Sequence, residues 1–414
     1  MLKNKQAALP FIFITLLIDF TGFGIILPVM PRLIEQLTGE GISRASQYGG
    51  WLAFAYAVMQ FIFAPVLGGL SDRYGRRPVL LLSLFGLGLD YLFLAFAPSI
   101  FWLFIGRLIS GITGASFTTG AAYIADVSPP EKRAQSFGIT GAAFGLGFII
   151  GPVIGGLSSD WGLRAPFLIA AGLSLVNCLY GYFVLPESLS MENRRSFDWK
   201  RANPVGSFKQ IQKYPVVAGL VLALTLIYIG HNAVETTWTY YTIEKFKWSE
   251  RMIGYSLAAA GIGIAVVQGW LIRIIIPRLG PKNTVYIGLS LRVLAAMLIA
   301  LASQGWMLFV ILIPDALSFM STPALQGIMS NQIPATEQGE LQGVMGSTFS
   351  ICAIIGPVLM SNIFAFFTKA DAPFYFPGAA FVLEAVLTLT GILIIARYLS
   401  AWQPVKQANP ETSH

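Results

Sequence analysis

The sequence predicts an all-α membrane protein of about twelve transmembrane helices in two pseudo-symmetric six-helix halves. Three observations lead to this fold class: the composition, the spacing of long apolar segments, and an internal repeat. Of the 414 residues, 55% are hydrophobic and 11% are charged, whereas soluble domains are about 25% charged. The composition excludes a disordered chain, a collagen-like chain and a disulfide scaffold, and it disfavours an ordinary cytosolic enzyme.

Long apolar segments alternate with short polar breaks along the whole chain. A transmembrane helix needs about 20 apolar residues, and segments of roughly this length lie near 8–31, 48–70, 78–97, 100–125, 135–158, 165–185, 214–243, 252–276, 283–303, 306–332, 338–368 and 373–400. The first of them is too long for the apolar part of a signal peptide, and no small-residue cleavage site follows it. We therefore expect the N-terminus to remain in place behind Lys3 and Lys5.

Glycines and prolines recur at one constant interval between the two halves. The matched pairs are Gly138 with Gly343, Gly141 with Gly346, Gly151 with Gly356, Pro152 with Pro357 and Pro129 with Pro334. Duplicated halves around a central site are typical of secondary transporters. We therefore predict an N-terminal half (1–186), a cytoplasmic linker (187–213), a C-terminal half (214–402) and a cytoplasmic tail (403–414).

The distribution of basic residues predicts the orientation in the membrane. Of the 27 lysines and arginines, 18 lie in segments that this topology places in the cytoplasm and seven lie in outside loops. Cytoplasmic loops carry such an excess of positive charge. We expect a multi-pass protein of the plasma membrane, in a bacterium the inner or cell membrane, with both termini cytoplasmic. The same excess accounts for the net charge of +7 without any nucleic acid.

The loop between the second and third segments carries the strongest motif, with fixed spacing of glycine, aspartate and arginine. It runs from Gly68 to Pro78 and contains Asp72, Arg73, Gly75 and Arg76. Gly68 allows a neighbouring helix to approach closely, and Asp72 can face the positive end of another helix. This stretch resembles the signature loop of the major facilitator superfamily, G-x-L-x-D-R-x-G-R-R. The resemblance implies a gating role for the loop and a pairing of Arg76 with Asp126.

Further motifs agree with this resemblance. The stretch from Arg107 to Ala115 resembles the R-x-x-x-G-x-x-x-A element of the fourth helix, and the one from Asp19 to Pro31 resembles the first helix of drug–proton antiporters. A fifth-helix antiporter motif, G-x-x-x-G-P-x-x-G-G, is matched by Gly147, Gly151, Pro152, Gly155 and Gly156. The family implies twelve helices, alternating access between the two sides of the membrane, and proton coupling.

Two short stretches resemble the tetracycline–proton antiporter branch in particular: Asp90-Tyr91-Leu92 and the run from Pro323 to Gly327. The chain departs from that branch at two membrane positions. Ile264 stands where the branch has a histidine on the eighth helix, and Arg292 stands where it has an aspartate on the ninth. These departures reverse one charge and remove one titratable group.

Ionisable residues inside the apolar segments are candidates for function, because a charge at membrane depth costs several kcal/mol unless it is paired or hydrated. Asp19 and Arg107 are the first candidates for proton coupling, with Arg107 as the fixed charge that changes the pKa of Asp19. Glu235 and Asp90 are further candidates, and Glu384 is a fifth acid in these segments. Asp315 and Arg292 can also form an ion pair without a transport role.

The residues expected to line the substrate cavity are polar or aromatic and lie near the middle of the membrane: Tyr56, Gln60, His231, Gln268, Arg292 and Asp315. His231 and Glu235 are four residues apart, so they share one helix face. The run from Trp238 to Tyr241 is more typical of an interfacial aromatic belt than of a substrate contact.

These features favour proton-driven efflux of a small amphipathic organic molecule. A proton-coupled importer of a small, possibly anionic solute is the alternative, since Arg107 and Arg292 can bind an anion. A non-transporting membrane receptor of the same fold is a remoter one. We expect a monomer in the lipid bilayer that exchanges a small-molecule substrate with protons. We expect neither catalysis nor a cofactor, metal or nucleic-acid partner, because no ligand spacing or nucleophile cluster occurs.

Overall fold

A computed structural model describes residues 2–114, 116–128, 133–195, 213–334 and 337–399. Every regular element in these residues is helical. Most of the expected linker (196–212) and the whole expected tail lie outside the described residues, as does Pro129. The membrane helices, numbered α1 to α12, are Leu2–Ile26, Ile42–Tyr74, Arg76–Ala95, Ile100–Val127, Arg133–Ser158, Ala165–Val184, Pro215–Phe246, 250–279, 281–301, Gly305–Ser330, Gln338–Thr368 and Ala379–Leu399.

Helices α8 and α9 belong to one apolar stretch, Glu250–Leu301, which is 52 residues long. A straight helix of that length measures about 78 Å, more than twice the thickness of a bilayer core. Gly280 divides the stretch, because its φ of 76° and ψ of 155° are not helical. Eleven apolar stretches therefore supply twelve membrane helices, which confirms the predicted fold class.

Gly75 and Gly280 occupy equivalent places in the two halves. Gly75 separates α2 from α3 with a φ of 105° and a ψ of 156°, close to the conformation of Gly280. Backbone with positive φ at these values is open almost only to glycine. The signature loop thus has a structural counterpart between α8 and α9, although the second copy has lost most of the motif's side chains.

Equivalent helices pack together in each half. Helix α1 packs on α5 in the N-terminal half, and α7 packs on α11 in the C-terminal half. The pair α3 and α6 corresponds in the same way to the pair α9 and α12. The third correspondence is between α2 with α4 and α8 with α10. Helices α4 and α10 each consist of two helical pieces, Ile100–Thr113 with Ser116–Val127 and Gly305–Ser318 with Ser321–Ser330. The two halves meet along α2 with α11 and along α5 with α8.

The halves are joined at one end of the bundle, which we call the closed end. It carries the connection from α1 to α2, the start of α8 and the last turns of α11. Ser43 donates a hydrogen bond to the carbonyl of Ala365 at 2.9 Å, and Gln47 donates one to Asn362 at 3.2 Å. Arg32 lies 3.6 Å from Glu250. Each of these contacts links the N-terminal half to the C-terminal half.

The opposite end, which carries Gly75 and Gly280, is the open end. Glycines mark the difference between the two ends. Positions for a Cβ atom at Gly68 of α2, at Gly141 and Gly145 of α5, at Gly269 of α8 and at Gly346 of α11 have no neighbouring atom within 4 Å. These four helices are the ones that join the halves at the closed end. The two halves are therefore joined at the closed end and diverge towards the open end.

Candidate functional site

A buried ion pair lies in the N-terminal half, between α3 and α4. The Nη2 atom of Arg107 is 3.3 Å from Oδ2 of Asp90, and the side chain of Asp90 is completely buried. Ser110 donates a second hydrogen bond to the same carboxylate oxygen. The other oxygen, Oδ1 of Asp90, is buried without a hydrogen-bond partner. A carboxyl group in this position can hold a proton on Oδ1 while Arg107 and Ser110 contact Oδ2.

Polar groups of α2 surround the same region. Gln60 donates hydrogen bonds to the hydroxyl of Tyr56 at 3.2 Å and to the carbonyl of Gly114 at 3.4 Å. Both side chains are half-buried. They are two of the expected cavity residues, and the structure places them beside the helix that carries Arg107.

Asp19 is buried on α1, and its helix approaches the ion pair through α3. At Gly22, one turn beyond Asp19, a Cβ atom would lie 3.5 Å from the ring of Tyr91, the residue after Asp90. The sequence singled out Asp19 as the carboxylate that depends on Arg107. The structure gives Arg107 an ion pair with Asp90, which makes Asp90 a stronger candidate than the sequence indicated.

A second buried cluster lies in the C-terminal half, around Arg292 of α9. Its Nε atom is 3.0 Å from Oε1 of Glu384 on α12, and its Nη1 atom is 3.5 Å from the hydroxyl of Ser318 on α10. Nη2 of Arg292 contacts Nδ1 of His231 on α7. The guanidinium carbon also lies 5.4 Å from the centre of the Phe319 ring. Four helices therefore converge on one arginine.

The expected ion pair between Arg292 and Asp315 is replaced in the structure by the pair with Glu384. Asp315 is buried on α10, and its backbone carbonyl accepts a hydrogen bond from Ser318 at 2.6 Å. Glu384 was missing from the expected cavity residues. The signal that could have found it is its position as a lone acid in an otherwise apolar segment, since a charge there needs a partner.

Gln268 is the expected cavity residue that the structure does not bring to either cluster. It lies in a short π-helical turn, Val267–Leu271, and is exposed. Within the described part of the chain, neither cluster forms a hydrogen bond with Gln268. His231, in contrast, connects Arg292 with Glu235, whose Oε1 is 3.5 Å from Nε2 of His231.

The signature loop forms a network at the open end of the N-terminal half. Arg76 lies 2.5 Å from Asp72 and 3.1 Å from Asp126 at the end of α4, so the pairing of Arg76 with Asp126 implied by the resemblance is present. Its Nη1 atom also donates to Ser71 at 2.6 Å. Arg73 is exposed and lies over the ring of Tyr74.

Glu187, which the sequence did not single out, holds the same loop from the segment after α6. Its carboxylate accepts hydrogen bonds from the backbone N–H groups of Arg76 at 2.9 Å and Arg77 at 3.3 Å. These are free N–H groups of the first turn of α3, where a negative charge is favourable. A Cβ atom at Gly75 would lie 2.9 Å from Cδ of Glu187. Glycine is therefore favoured at position 75 by its positive φ, and a larger residue would also push the Glu187 carboxylate away from the loop.

The fifth-helix motif packs α5 against two partners. One face of the motif meets α1. A Cβ atom at Gly147 would lie 2.9 Å from the backbone nitrogen of Thr21, and one at Gly151 would lie 2.8 Å from Cα of Gly24. A Cβ atom at Gly155 would likewise collide with the backbone of Ile25. Real Cβ atoms do not approach backbone atoms so closely. These glycines therefore allow the backbones of α1 and α5 to touch.

The other face of the motif contacts the C-terminal half. A Cβ atom at Gly156 would lie 2.7 Å from the carbonyl oxygen of Glu250 and 3.0 Å from Cα of Arg251. At Gly254 of α8, a Cβ atom would lie 3.2 Å from the carbonyl carbon of Pro152. The motif therefore also forms part of the closed end.

The aromatic run at the end of α7 lies in the protein core, so the expected interfacial belt is wrong. Trp238 donates a hydrogen bond to Ser256 of α8 at 3.0 Å, and Tyr241 donates one to the carbonyl of Ile299 on α9. Both side chains are buried. Packing between helices satisfies their polar atoms, which a sequence pattern does not reveal.

Comparisons with known proteins agree with this architecture. The family model described as the Major Facilitator Superfamily matches residues 12–357. Tetracycline resistance protein, class C, of Escherichia coli is 39% identical over 388 residues, which cover 94% of this chain and 96% of that protein. Multidrug resistance protein 2 of Bacillus subtilis (strain 168) is 28% identical over 391 residues, covering 93% and 96%.

A solved structure shares the fold. The crystal structure of a bacterial homologue of the human lysosomal transporter Spinster, in an inward-facing and unoccupied conformation, superposes with a TM-score of 0.75 at 16% identity, covering 97% of this chain and 99% of that one. The resemblance noted in the motifs is thereby confirmed. The family match, the identity to the class C protein and the twelve-helix architecture show that this chain belongs to the Major Facilitator Superfamily.

Proposed function

We propose that this protein is a proton-coupled antiporter that exports a small amphipathic organic compound of the drug type from the cytoplasm. The observation that carries the proposal is the buried pair of Asp90 and Arg107 in the middle of the N-terminal half. Support also comes from relatives along nearly the whole chain whose names refer to tetracycline resistance and multidrug resistance.

The ion pair suits proton exchange because its two members behave differently. Arginine keeps its charge, whereas a buried carboxylate can take up a proton. While Asp90 is ionised, Arg107 balances its charge. Protonation of Asp90 leaves the charge of Arg107 unbalanced in a buried site, which weakens the packing of α3 against α4. A proton can in this way change the relative stability of two conformations of the bundle.

The orientation follows from the excess of basic residues at the open end. Cytoplasmic segments carry more lysine and arginine, and Arg73, Arg76, Arg77, Arg278 and Lys282 all lie there. We therefore place the open end, and with it both termini, in the cytoplasm of a bacterial cell, with the protein in its plasma membrane. The structure then corresponds to an inward-open state that admits substrate from the cytoplasm.

Alternating access requires the closed end to separate and the open end to close. The glycines with free space at the open end, Gly68 and Gly346 among them, allow α2 to approach α11 closely. The network of Asp72, Arg76 and Asp126 keeps the loop between α2 and α3 in one shape during this movement. One polypeptide supplies both halves around the cavity, so we propose that a monomer carries out the cycle.

The test is transport in everted membrane vesicles with an imposed pH gradient, acidic inside. A panel of amphipathic compounds that includes tetracycline should accumulate inside wild-type vesicles and release protons to the outside. Asp90→Asn removes the titratable group but keeps the size of the side chain. It should abolish accumulation driven by the pH gradient while the protein remains inserted and monodisperse in detergent.

The matched control is Asp371→Asn, because Asp371 lies exposed in the loop before α12 and should leave transport unchanged. Accumulation that depends on the pH gradient in the Asp90→Asn protein would overturn the assignment of the proton site. Gradient-driven loss of the compounds from everted vesicles would show uptake into the cell, the importer alternative.

A further inference from the structure

Glu235 is a carboxylate in the middle of the C-terminal half that reaches the central space. It lies on α7 within the apolar span Pro215–Phe246, yet its side chain is 53% exposed. An ionisable side chain within a membrane span almost always faces the bundle interior or a hydrated cavity rather than lipid. The exposed carboxylate of Glu235 is therefore assigned to the space between the two halves.

The neighbour of Glu235 is a neutral histidine whose tautomer follows from Arg292. A guanidinium group can only donate hydrogen bonds, so Nδ1 of His231, which contacts Arg292, must be an acceptor without a proton. The remaining ring nitrogen, Nε2, then carries the hydrogen and lies 3.5 Å from Oε1 of Glu235. His231 places a polar N–H group beside Glu235 but adds no positive charge.

The positive charge of Arg292 is already balanced by the carboxylate of Glu384. Glu384 lies 3.0 Å away and is only 1% exposed, and the second oxygen of that carboxylate is buried without a hydrogen-bond partner. Asp315 is a third buried acid of the same half. Near the middle of its membrane spans, the described part of this half therefore has three carboxyl groups and one guanidinium group. Glu235 is the carboxyl group nearest to the central space, and within the described residues it has no cation beside it.

We propose that Glu235, positioned by His231, binds the positively charged group of an amphipathic organic cation. This inference rests on the proposed transport function and specifies its substrate class. Aromatic side chains lie beside His231 and further along α7. Phe319 packs edge-to-face on His231 with ring centres 5.5 Å apart, and Tyr228, about two turns from Glu235 on α7, packs edge-to-face on Phe349 at 5.6 Å. Aromatic faces attract cations and bury hydrocarbon, so this wall fits a hydrophobic ion.

The arrangement explains why the buried acid and arginine lie behind His231. Glu384 fixes Arg292, Arg292 fixes the ring orientation and tautomer of His231, and His231 keeps its Nε2 atom beside Glu235. With Nδ1 accepting from Arg292, the imidazole adds no second positive charge next to a cationic ligand. In this assignment Glu235 is the group that touches substrate, and His231 is a positioning residue.

The experiment measures binding of tetraphenylphosphonium, a permanent cation, to the purified full-length protein by isothermal titration calorimetry. Loss of one charge-assisted contact typically weakens binding about tenfold, and we expect this loss in Glu235→Gln. The matched control is Glu244→Gln on the same helix, because Glu244 binds Tyr375 at the closed end. It should bind as wild type does. Tetramethylammonium, which has the same charge without aromatic rings, should bind more weakly than tetraphenylphosphonium.

The role of His231 is tested by rescue. His231→Gln can still accept from Arg292 and donate to Glu235 and should retain most of the affinity, whereas His231→Ala should lose as much as Glu235→Gln. Equal affinity of wild type and Glu235→Gln for tetraphenylphosphonium, or no binding to wild type, overturns the proposal. Transport of tetracycline in the vesicle assay is a separate measurement, so failure of the cation site and failure of the proposed antiport are distinguishable.

Discussion

The contact of Gly156 with the start of α8 offers a direct test of the closed end. Gly156→Ala adds one Cβ atom that would lie 2.7 Å from the carbonyl oxygen of Glu250 and 3.0 Å from Cα of Arg251, whereas ordinary contacts begin at 3.4 Å. These neighbours are backbone atoms of a helix and cannot rotate away. The closed end must separate by about 0.7 Å to accept the methyl group.

Overpacking of this kind costs typically about 1–3 kcal/mol. The cost falls on the state in which α5 touches α8, because an alanine fits the helical backbone at position 156 equally well in any state. The equilibrium between the state with a joined closed end and the state with a separated closed end should therefore shift about 5- to 150-fold towards the latter.

The assay is double electron–electron resonance with two pairs of spin labels on exposed positions. One pair, at positions 44 and 370, spans the halves at the closed end, and the other, at positions 73 and 278, spans them at the open end. In Gly156→Ala the first distance should lengthen and the second should shorten. Opposite changes at the two ends are the signature of alternating access, as distinct from general loosening.

The control is Gly172→Ala, because a Cβ atom at Gly172 of α6 has open space around it. The labels require a background without Cys178 and Cys352, the two cysteines of the chain. Identical distance distributions in wild type, Gly156→Ala and Gly172→Ala would refute the argument that this contact stabilises the joined closed end.

Two further predictions follow from the N-terminal half. Glu187→Gln removes the negative charge that caps the first turn of α3 and should lower the free energy of unfolding by about 1 kcal/mol. Unfolding in sodium dodecyl sulfate measures this change. Glu192→Gln in the same segment is the control and should leave the free energy of unfolding unchanged. Asp19→Asn should leave proton release on substrate addition to solubilised protein close to that of wild type, because Asp90 carries the proton; the measurement uses a pH dye, and loss of proton release in this variant would show that Asp19 belongs to the proton path.

The twelve helices, their internal repeat and the position of each motif were predictable from the sequence. These properties depend on the order of apolar and polar residues along the chain, because the bilayer imposes a fixed span on every helix. The predicted boundaries of several segments differ from the observed helices. Helix α2, for example, begins at Ile42 rather than near 48, since its first turns pack against α11 and need no apolar run.

Which acid pairs with which arginine was decided by the tertiary structure. Arg107 pairs with Asp90 and Arg292 pairs with Glu384, and the sequence singled out neither pairing. Several membrane acids lie at similar depth, and hydropathy carries no information about the rotation of each helix around its axis or about its neighbours. A partner 92 residues away in sequence, as Glu384 is from Arg292, is selected by helix packing alone.

The conformational state also depended on tertiary structure. The glycines of α5 and α8 look alike in sequence, but Gly156 and Gly254 are in tight contact and Gly145 and Gly269 face open space. A sequence with duplicated halves is compatible with closure at either end. The sequence by itself determined a bundle of two similar halves with ionisable residues inside its membrane spans and with its basic residues concentrated at one end. The packing of α5 on α8 and of α2 on α11 determined which end is closed, because backbone contact between helices is a property of their relative position and not of either helix.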